Sequence, residues 1–210
     1  MGLISLLFSN PQLFVVLAVL LLYSVIAHEV AHGWVAHLFG DDTALRFGRL
    51  TFNPLSHLDP IGTLMLFLAG FGWAKPVPVD YYSLKRTRFG FFSVALAGCF
   101  TNILIAIIAI FLLQFPYFSA NPSYSEILAI VVRINLILGA FNLIPIPPLD
   151  GSRILMSVLP LQAQEAMALV EPYGFFILVI LLFTGLLNPV INFMQNMIFT
   201  MITLLFGLFR

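Results

Sequence analysis

Residues 13–39 read LFVVLAVLLLYSVIAHEVAHGWVAHLF. A helix that crosses a bilayer needs about 20 mainly apolar residues, and this run meets that length. Gly40-Asp41-Asp42 stops it, with Gly40 as the candidate C-cap. The second half of the run carries His28, Glu29 and His32 within about one turn. An ionisable side chain at mid-membrane costs on the order of 2.5–3.5 kcal/mol or more. Three of them in one turn of an apolar helix therefore call for a partner. The competing reading is a helix end at which the polar groups reach water, and His37 with the aspartates beyond it leaves that reading open.

Working outward, composition agrees with a membrane setting. Of 210 residues, 61% are hydrophobic and only 9% charged, against about 25% charged in an ordinary soluble domain. A soluble core of this size cannot hide that much apolar surface. Nine basic and nine acidic residues give a formal net charge of +0. With no basic stripe, nucleic-acid binding is excluded. One cysteine, Cys99, excludes an internal disulfide framework. Four histidines exclude a site built from eight, and 22 phenylalanines exclude a disordered chain. The N-terminal run has no basic n-region and continues past residue 30, so it reads as a retained helix and not a cleaved leader.

Beyond the first span, residues 43–52 (TALRFGRLTF) alternate loosely and read as a strand or hairpin arm. Residues 61–73 (IGTLMLFLAGFGW) are apolar but short, which suits a re-entrant or interfacial segment. Gly62, Gly70 and Gly72 would let it move as a gate or pack closely. Residues 74–82 (AKPVPVDYY) hold prolines two apart, as in an extended edge segment. Phe89 to Phe115 is a second span. A third begins at Ile127 and breaks at Pro145, Pro147 and Pro148, resuming as a helix from about Asp150 to Leu159. Residues 160–171 read as a loop or surface helix, and Tyr173–Leu187 and Val190–Phe209 are further apolar stretches. The expected fold is an all-α polytopic membrane protein of four to five transmembrane helices. It has a three-helix catalytic core, a short re-entrant segment and a small β-rich insertion on the cytoplasmic side. One integral-membrane domain covers 1–210, with the core at about 10–160 and C-terminal membrane helices at about 172–210.

Basic residues near span ends set orientation. Arg46, Arg49, Lys75, Lys85, Arg86 and Arg88 all lie between the first two spans, placing residues 40–88 at the cytoplasmic face. Arg133, near the outer end of the third span, runs against this pattern.

Histidines four apart share a helix face. His28 and His32 can thus reach one zinc ion, with Glu29 placed to act on its bound water. Catalytic zinc takes a third protein ligand and keeps one position open. Among the carboxylates, Asp150 lies in an apolar segment, NLIPIPPLDG over 142–151. Its prolines remove backbone donors and open the helix. Such backbone is tolerated at membrane depth only beside protein or a wet cavity, so Asp150 is expected to face a cavity. It also suits an N-cap for the helix that follows. His57, in Asn53-Pro54-Leu-Ser-His57-Leu-Asp59-Pro60, is a candidate ligand, a support for the ligands or a substrate-side hydrogen-bonder, or else structural. His37 falls on another face and reads as interfacial.

These pieces resemble the site-2 proteases, the intramembrane zinc metalloproteases. The resemblance rests on His28-Glu-Val-Ala-His32, the 142–151 segment, the Asn53-Pro54/His57/Asp59-Pro60 loop and Gly72-Trp-Ala-Lys-Pro-Val-Pro-Val79, in that family's order. It spans nearly all of residues 10–160 and is similar to the compact prokaryotic form without PDZ or CBS domains. It implies one zinc per chain held by His28, His32 and Asp150, with Glu29 as the catalytic acid/base. It also implies a membrane-protein substrate cut in or near its transmembrane segment. Asn142 is expected to donate a hydrogen bond to substrate or developing oxyanion, or to a freed carbonyl near Pro145. Extended segments near 43–52 and 75–80 would receive the unwound substrate by β-strand addition. The contrasting class is a catalytically silent metal-binding or transport protein. A transporter would be expected to show inverted repeats with paired broken helices, and only one Pro-broken helix is seen.

Overall fold

A computed structural model describes residues 7–69, 72–84 and 87–207. Five helices in it are long and apolar enough to cross a membrane: α1 (Pro11–Leu38), α5 (Arg88–Leu112), α7 (Pro122–Asn142), α9 (Leu161–Phe183) and α10 (Asn188–Gly207). Between them lie the short helices α2 (Thr43–Arg46), α3 (Pro60–Ala69), α4 (Tyr81–Leu84), α6 (Pro116–Ser119) and α8 (Asp150–Val158). The chain is an integral membrane protein.

The long helices begin where local chemistry says they should. Asn10 caps α1 through its side chain, which accepts the N–H of Leu13 at 3.1 Å, and Pro11 stands in the first turn. Asn121 does the same for α7, with Pro122 behind it. Gly40, at φ 90°, turns the chain out of α1 in a conformation that glycine adopts freely.

α5 is the central helix, packed on α1, α7 and α8. Its Ala106 and Ile110 meet Leu136 and Ala140 of α7 and Ile198 and Ile202 of α10. Its Phe91 and Val94 meet Ala36 of α1, Leu84 of α4 and Met156 of α8. Small residues on α5 let these helices approach closely, as helix packing in lipid requires. By contrast, α9 and α10 expose most of their surface. α1, α5 and α7 thus pack on one another, with α8 against α5.

The expected β-rich insertion is not found: the described residues contain no strand. Residues 43–46 are a helical turn, whose start is fixed by the N–H of Thr43 donating to Asp41 Oδ1 at 2.9 Å. Gly48, at φ 62°, then reverses the chain. The alternation at 43–52 was too loose to outweigh that local hydrogen bond. Residues 74–80 are neither helix nor strand, and Pro76 and Pro78 supply no donor for a ladder. The short segment at 60–69 is a ten-residue helix, α3, too short to span. A side chain at Gly62 would strike the carbonyl of Trp73, and one at Gly72 the carbonyl of Gly62, so these two glycines serve close packing. Gly70 lies outside the described residues, as do Lys85 and Arg86. Residues 160–171, expected as a loop or surface helix, are the first half of α9, which continues through Pro172.

Candidate metal centre

His28 and His32 project from one face of α1, about 9–15 Å of rise short of its Leu38 end. Asp150 is brought to them by the break after α7. That break depends on close backbone contact: a side chain at Gly151 would lie 2.5 Å from the Ile144 carbonyl oxygen and nearer still to that of Leu143. Asp150 does not serve as the N-cap of α8, because Leu149 holds that position. Its Oδ2 instead lies 3.0 Å from Nε2 of His28 and 3.0 Å from Nε2 of His32. The two Nε2 atoms are 3.2 Å apart.

The far side of each imidazole fixes what these atoms carry. His32 Nδ1 faces the backbone carbonyl of Val94 at 2.7 Å, so it must donate. His28 Nδ1 faces Asn102 Oδ1 at 2.6 Å. Asn102 is oriented in turn, because its Nδ2 donates to Asn135 Oδ1 at 2.8 Å and to the Ser24 carbonyl at 3.3 Å. Asn135 Nδ2 donates to Ser24 Oγ at 3.0 Å and to the Val131 carbonyl at 2.9 Å. Both Nδ1 atoms therefore hold the protons, and both Nε2 lone pairs point at one carboxylate oxygen. Three electron-rich atoms converging in a buried place define a cation site. Ligands 2.0–2.2 Å from a tetrahedral zinc stand roughly 3.3–3.5 Å apart, close to the spacing here. Space for the ion comes from Gly98 of α5: a Cβ there would lie 2.5 Å from His28 Nε2 and closer still to His32 Nε2. The absent side chain leaves a cradle between the two nitrogens. The residues fit zinc.

Glu29, half-buried on the same helix, has its Oε2 held by the Val77 N–H at 2.9 Å. Val77 belongs to the irregular 74–80 segment, which is pinned along its length. Lys75 donates its N–H to the His57 carbonyl at 2.7 Å. Arg49 Nη2 donates to the carbonyls of Lys75 and Pro76 at 2.7 and 3.3 Å. Asp80 donates its N–H to Asp41 Oδ2 at 2.7 Å. Burial pushes the Asp41 carboxyl up, but the hydrogen bonds from Thr43 and Asp80 and the charge of Arg46 outweigh it and hold the group below its usual range. Tyr81 follows, its ring 4.0 Å from the Arg153 guanidinium and edge-on to Phe91. Burial pushes the Tyr81 phenol up to about 12, against the opposing pull of Arg153.

His57 is not at the metal centre. It is fully buried, donates from Nε2 to the Thr51 carbonyl at 2.8 Å and leaves Nδ1 without a partner. Its contribution is its backbone carbonyl, which anchors Lys75. Asn142 is also elsewhere: its Nδ2 turns back to the Leu138 carbonyl of its own helix at 3.1 Å. His37 pairs with Asp42 at 2.6 Å outside the site. Arg153 does not pair with Asp150; it lies on Tyr81 and 3.7 Å from Glu171.

Sequence reasoning missed Ser24, Gly98, Asn102 and Asn135. The ionisable residues drew attention, whereas the neutral amides in apolar spans were the available signal. Gly98 and Asn102 lie four apart on α5 and so share the face turned to α1.

Residues 118–184 match Peptidase family M50. Over 201 residues the chain is 38% identical to "Putative zinc metalloprotease YwhC" of Bacillus subtilis, covering 90% of this chain and 92% of that protein. The chain belongs to peptidase family M50. It is thus a member of the site-2 protease family and a metalloprotease. This M50 chain is also 30% identical over 175 residues to "Putative zinc metalloprotease Rip2" of Mycolicibacterium smegmatis, covering 80% of its own length and 66% of that protein. It is 28% identical over 151 residues to "Zinc metalloprotease MJ0392" of Methanocaldococcus jannaschii, there covering 72% of its own length but only 36% of the relative. No solved structure matches it.

Proposed function

We propose that this M50 protein is a zinc endopeptidase that hydrolyses peptide bonds in or near the transmembrane segments of membrane proteins, with His28, His32 and Asp150 as zinc ligands and Glu29 as the catalytic acid/base. The observation that carries the ligand assignment is the convergence of two Nε2 lone pairs and one carboxylate oxygen within 3.0–3.2 Å. When bound, zinc supplies a Lewis acid and lowers the pKa of a water it holds toward about 7. The protein's own groups do the rest. The Nδ1 hydrogen bonds to Val94 and Asn102 hold both rings in the ligating tautomer. The Val77 N–H fixes one oxygen of Glu29. The carboxylate takes a proton from the attacking water as its oxygen bonds to the scissile carbonyl carbon, and delivers it to the nitrogen as the C–N bond breaks.

A helical substrate hides its amides in its own hydrogen bonds, so it must unwind first. The 75–80 segment, held beside Glu29 through Val77 and in no strand ladder among the described residues, is the surface along which an unwound substrate would pair. Asn142 and His57 serve as structural supports in this reading. The site opens toward the cytoplasm in this reading, because the sequence between the first two spans carries six basic residues, Arg46, Arg49, Lys75, Lys85, Arg86 and Arg88. The whole chain is one membrane domain.

The test is zinc per chain in wild type, Asp150→Ala and Glu29→Gln, beside cleavage of a single-span substrate in vesicles. Wild type is expected to hold near one zinc and to cleave. Asp150→Ala should lose both, and Glu29→Gln should keep zinc and lose cleavage. Full zinc in Asp150→Ala, or turnover by Glu29→Gln, would overturn the assignment.

A further inference from the structure

Arg133, expected near the outer end of its span, stands near the middle of α7, which begins earlier than expected, and has no ion pair or hydrogen bond among the described residues. It lies 11 residues into α7, about 16 Å of rise in a helix about 31 Å long. An intramembrane ion normally turns inward and pairs. Arg133 is instead exposed, on the wall of an open groove of about 370 Å³ between α1 and α7. Leu13 and Leu17 line one side and Ile130, Ile134 and Ile137 the other. Glu126 shares the groove, seven residues from Arg133 and hence on the same helix face about two turns nearer the Pro122 end. The bond between Ser24 and Asn135 sets α1 and α7 side by side at this depth. The groove therefore opens in the half of the bundle away from the Leu38 end, apart from the metal centre.

We infer that this groove docks a transmembrane helix of a partner protein that carries an Asp or Glu at the depth of Arg133. Three occupants are separated by charge and depth. A lipid tail would satisfy the leucines and isoleucines but not the guanidinium. A lipid phosphate entering from the Pro122 end would meet Glu126, which shares the groove on that side of Arg133 and repels an anion. A second copy related by a twofold axis along the membrane normal would set Arg133 against Arg133 and Glu126 against Glu126, since an isologous contact pairs residues at equal depth. A membrane helix with a mid-span carboxylate, and a donor or cation two turns nearer the Pro122 end, complements both charges. The groove admits the side chains of one such helix face.

The proposal is tested by capture, so it stands or falls independently of the zinc chemistry. The full chain carrying Leu17→Cys is reconstituted in phosphatidylcholine vesicles with a single-span Leu/Ala peptide. That peptide bears one mid-span Asp and a cysteine one turn away, and disulfide capture is scored. The Asp peptide is expected to be captured about tenfold more than the same peptide with Leu in place of Asp, or with Asp moved to the membrane surface. Arg133→Leu should remove that preference. Arg133→Glu should reverse it, favouring a mid-span Lys peptide, and this result also shows that the variant is folded. Equal capture of Asp and Leu peptides would overturn the proposal. So would an unchanged preference in Arg133→Leu, or loss of Asp-peptide capture when phosphatidylglycerol is added.

Discussion

Gly98→Ala is the most incisive single change the structure offers. The added methyl would sit 2.5 Å from His28 Nε2 and closer still to His32 Nε2, where ordinary contact begins near 3.4 Å. At least one ring must therefore retreat by about 0.9 Å. Neither ring can do so without breaking a bond, because His32 Nδ1 is tied to Val94 and His28 Nδ1 to an asparagine that is itself held on three sides. A shift of that size is close to half a zinc–nitrogen bond of 2.0–2.1 Å. Losing the support of a ligand typically costs 10–100-fold in metal affinity, so displacing a ligand outright should cost about 100-fold or more. The folded chain itself should not suffer equally. Alanine favours a helix interior over glycine by about 0.5–1 kcal/mol, so the metal-free variant should unfold no more easily than metal-free wild type. Zinc affinity is measured by titration against a competing chelator, and thermal unfolding is followed in the same detergent without metal. Gly139→Ala is the control, since the one tight contact of its Cβ would be the flexible Ile103 side chain at 3.2 Å, with the Cys99 carbonyl at 3.6 Å and Asn102 Cβ at 3.8 Å in ordinary contact. Wild-type zinc affinity in Gly98→Ala would refute the cradle argument. Loss of zinc together with a much lower unfolding temperature would refute the claim that the methyl acts locally.

Other changes test neighbouring parts of the site. Asn102→Leu removes the acceptor for His28 Nδ1 and should lower zinc affinity about 10–100-fold, whereas Asn102→Asp, which keeps an acceptor, should lose less; equal losses would mean that Asn102 acts only through packing. Gly151→Ala drives a methyl into backbone carbonyls that cannot yield, so it should displace Asp150 and empty the site as Asp150→Ala does, which zinc analysis would show. Asp41→Asn weakens the anchor of Asp80 and Thr43 and should cost about 1–3 kcal/mol. The native carboxyl titrates below its ordinary 3.8, so its contribution is present above about pH 4 and is lost as pH falls through the lower folded value. Wild-type unfolding temperature should accordingly drop on acidification more than that of Asp41→Asn, as a scan from pH 3 to 7 would show.

The spans and the meeting of His28, His32 and Asp150 were legible in the sequence because in lipid an ionisable side chain needs a reason. His28, Glu29 and His32 interrupt one apolar run, Asp150 sits in a Pro-broken one, and few arrangements satisfy both. The ends of spans were less legible. Residues 160–171 look polar, yet their glutamines and glutamate ride on a helix whose remaining face is apolar, and period alone does not mark where such a helix enters the bilayer. The 43–52 segment was misread because Asp41 starts a helical turn through Thr43, a local bond that outweighs weak alternation. The roles expected of His57 and Asn142 rested on their place beside the site motifs, in a Pro-rich loop and next to a Pro-broken helix, and such placement does not fix where a side chain points. In the structure, one holds a loop and the other bonds its own helix.

The same solvent argument can be run over the finished structure, and it divides the polar residues sharply. Among the described residues of the five spans, the buried polar side chains are Ser24, His28, His32, Asn102 and Asn135. All five belong to one connected set of hydrogen bonds that runs from α7 through α5 to α1 and ends at Asp150. A set with its amides satisfied specifies one arrangement of the three helices, because sliding any of them would strand an amide in hydrocarbon. The bonds that orient His28 and His32 are therefore also the bonds that fix the register of the bundle. Arg133 stands outside this set, at nearly the depth of Asn135 on the same helix, facing out instead of in. A helix that satisfies its inner amide at that level and leaves a guanidinium open on its outer face points to a contact that the chain alone does not complete.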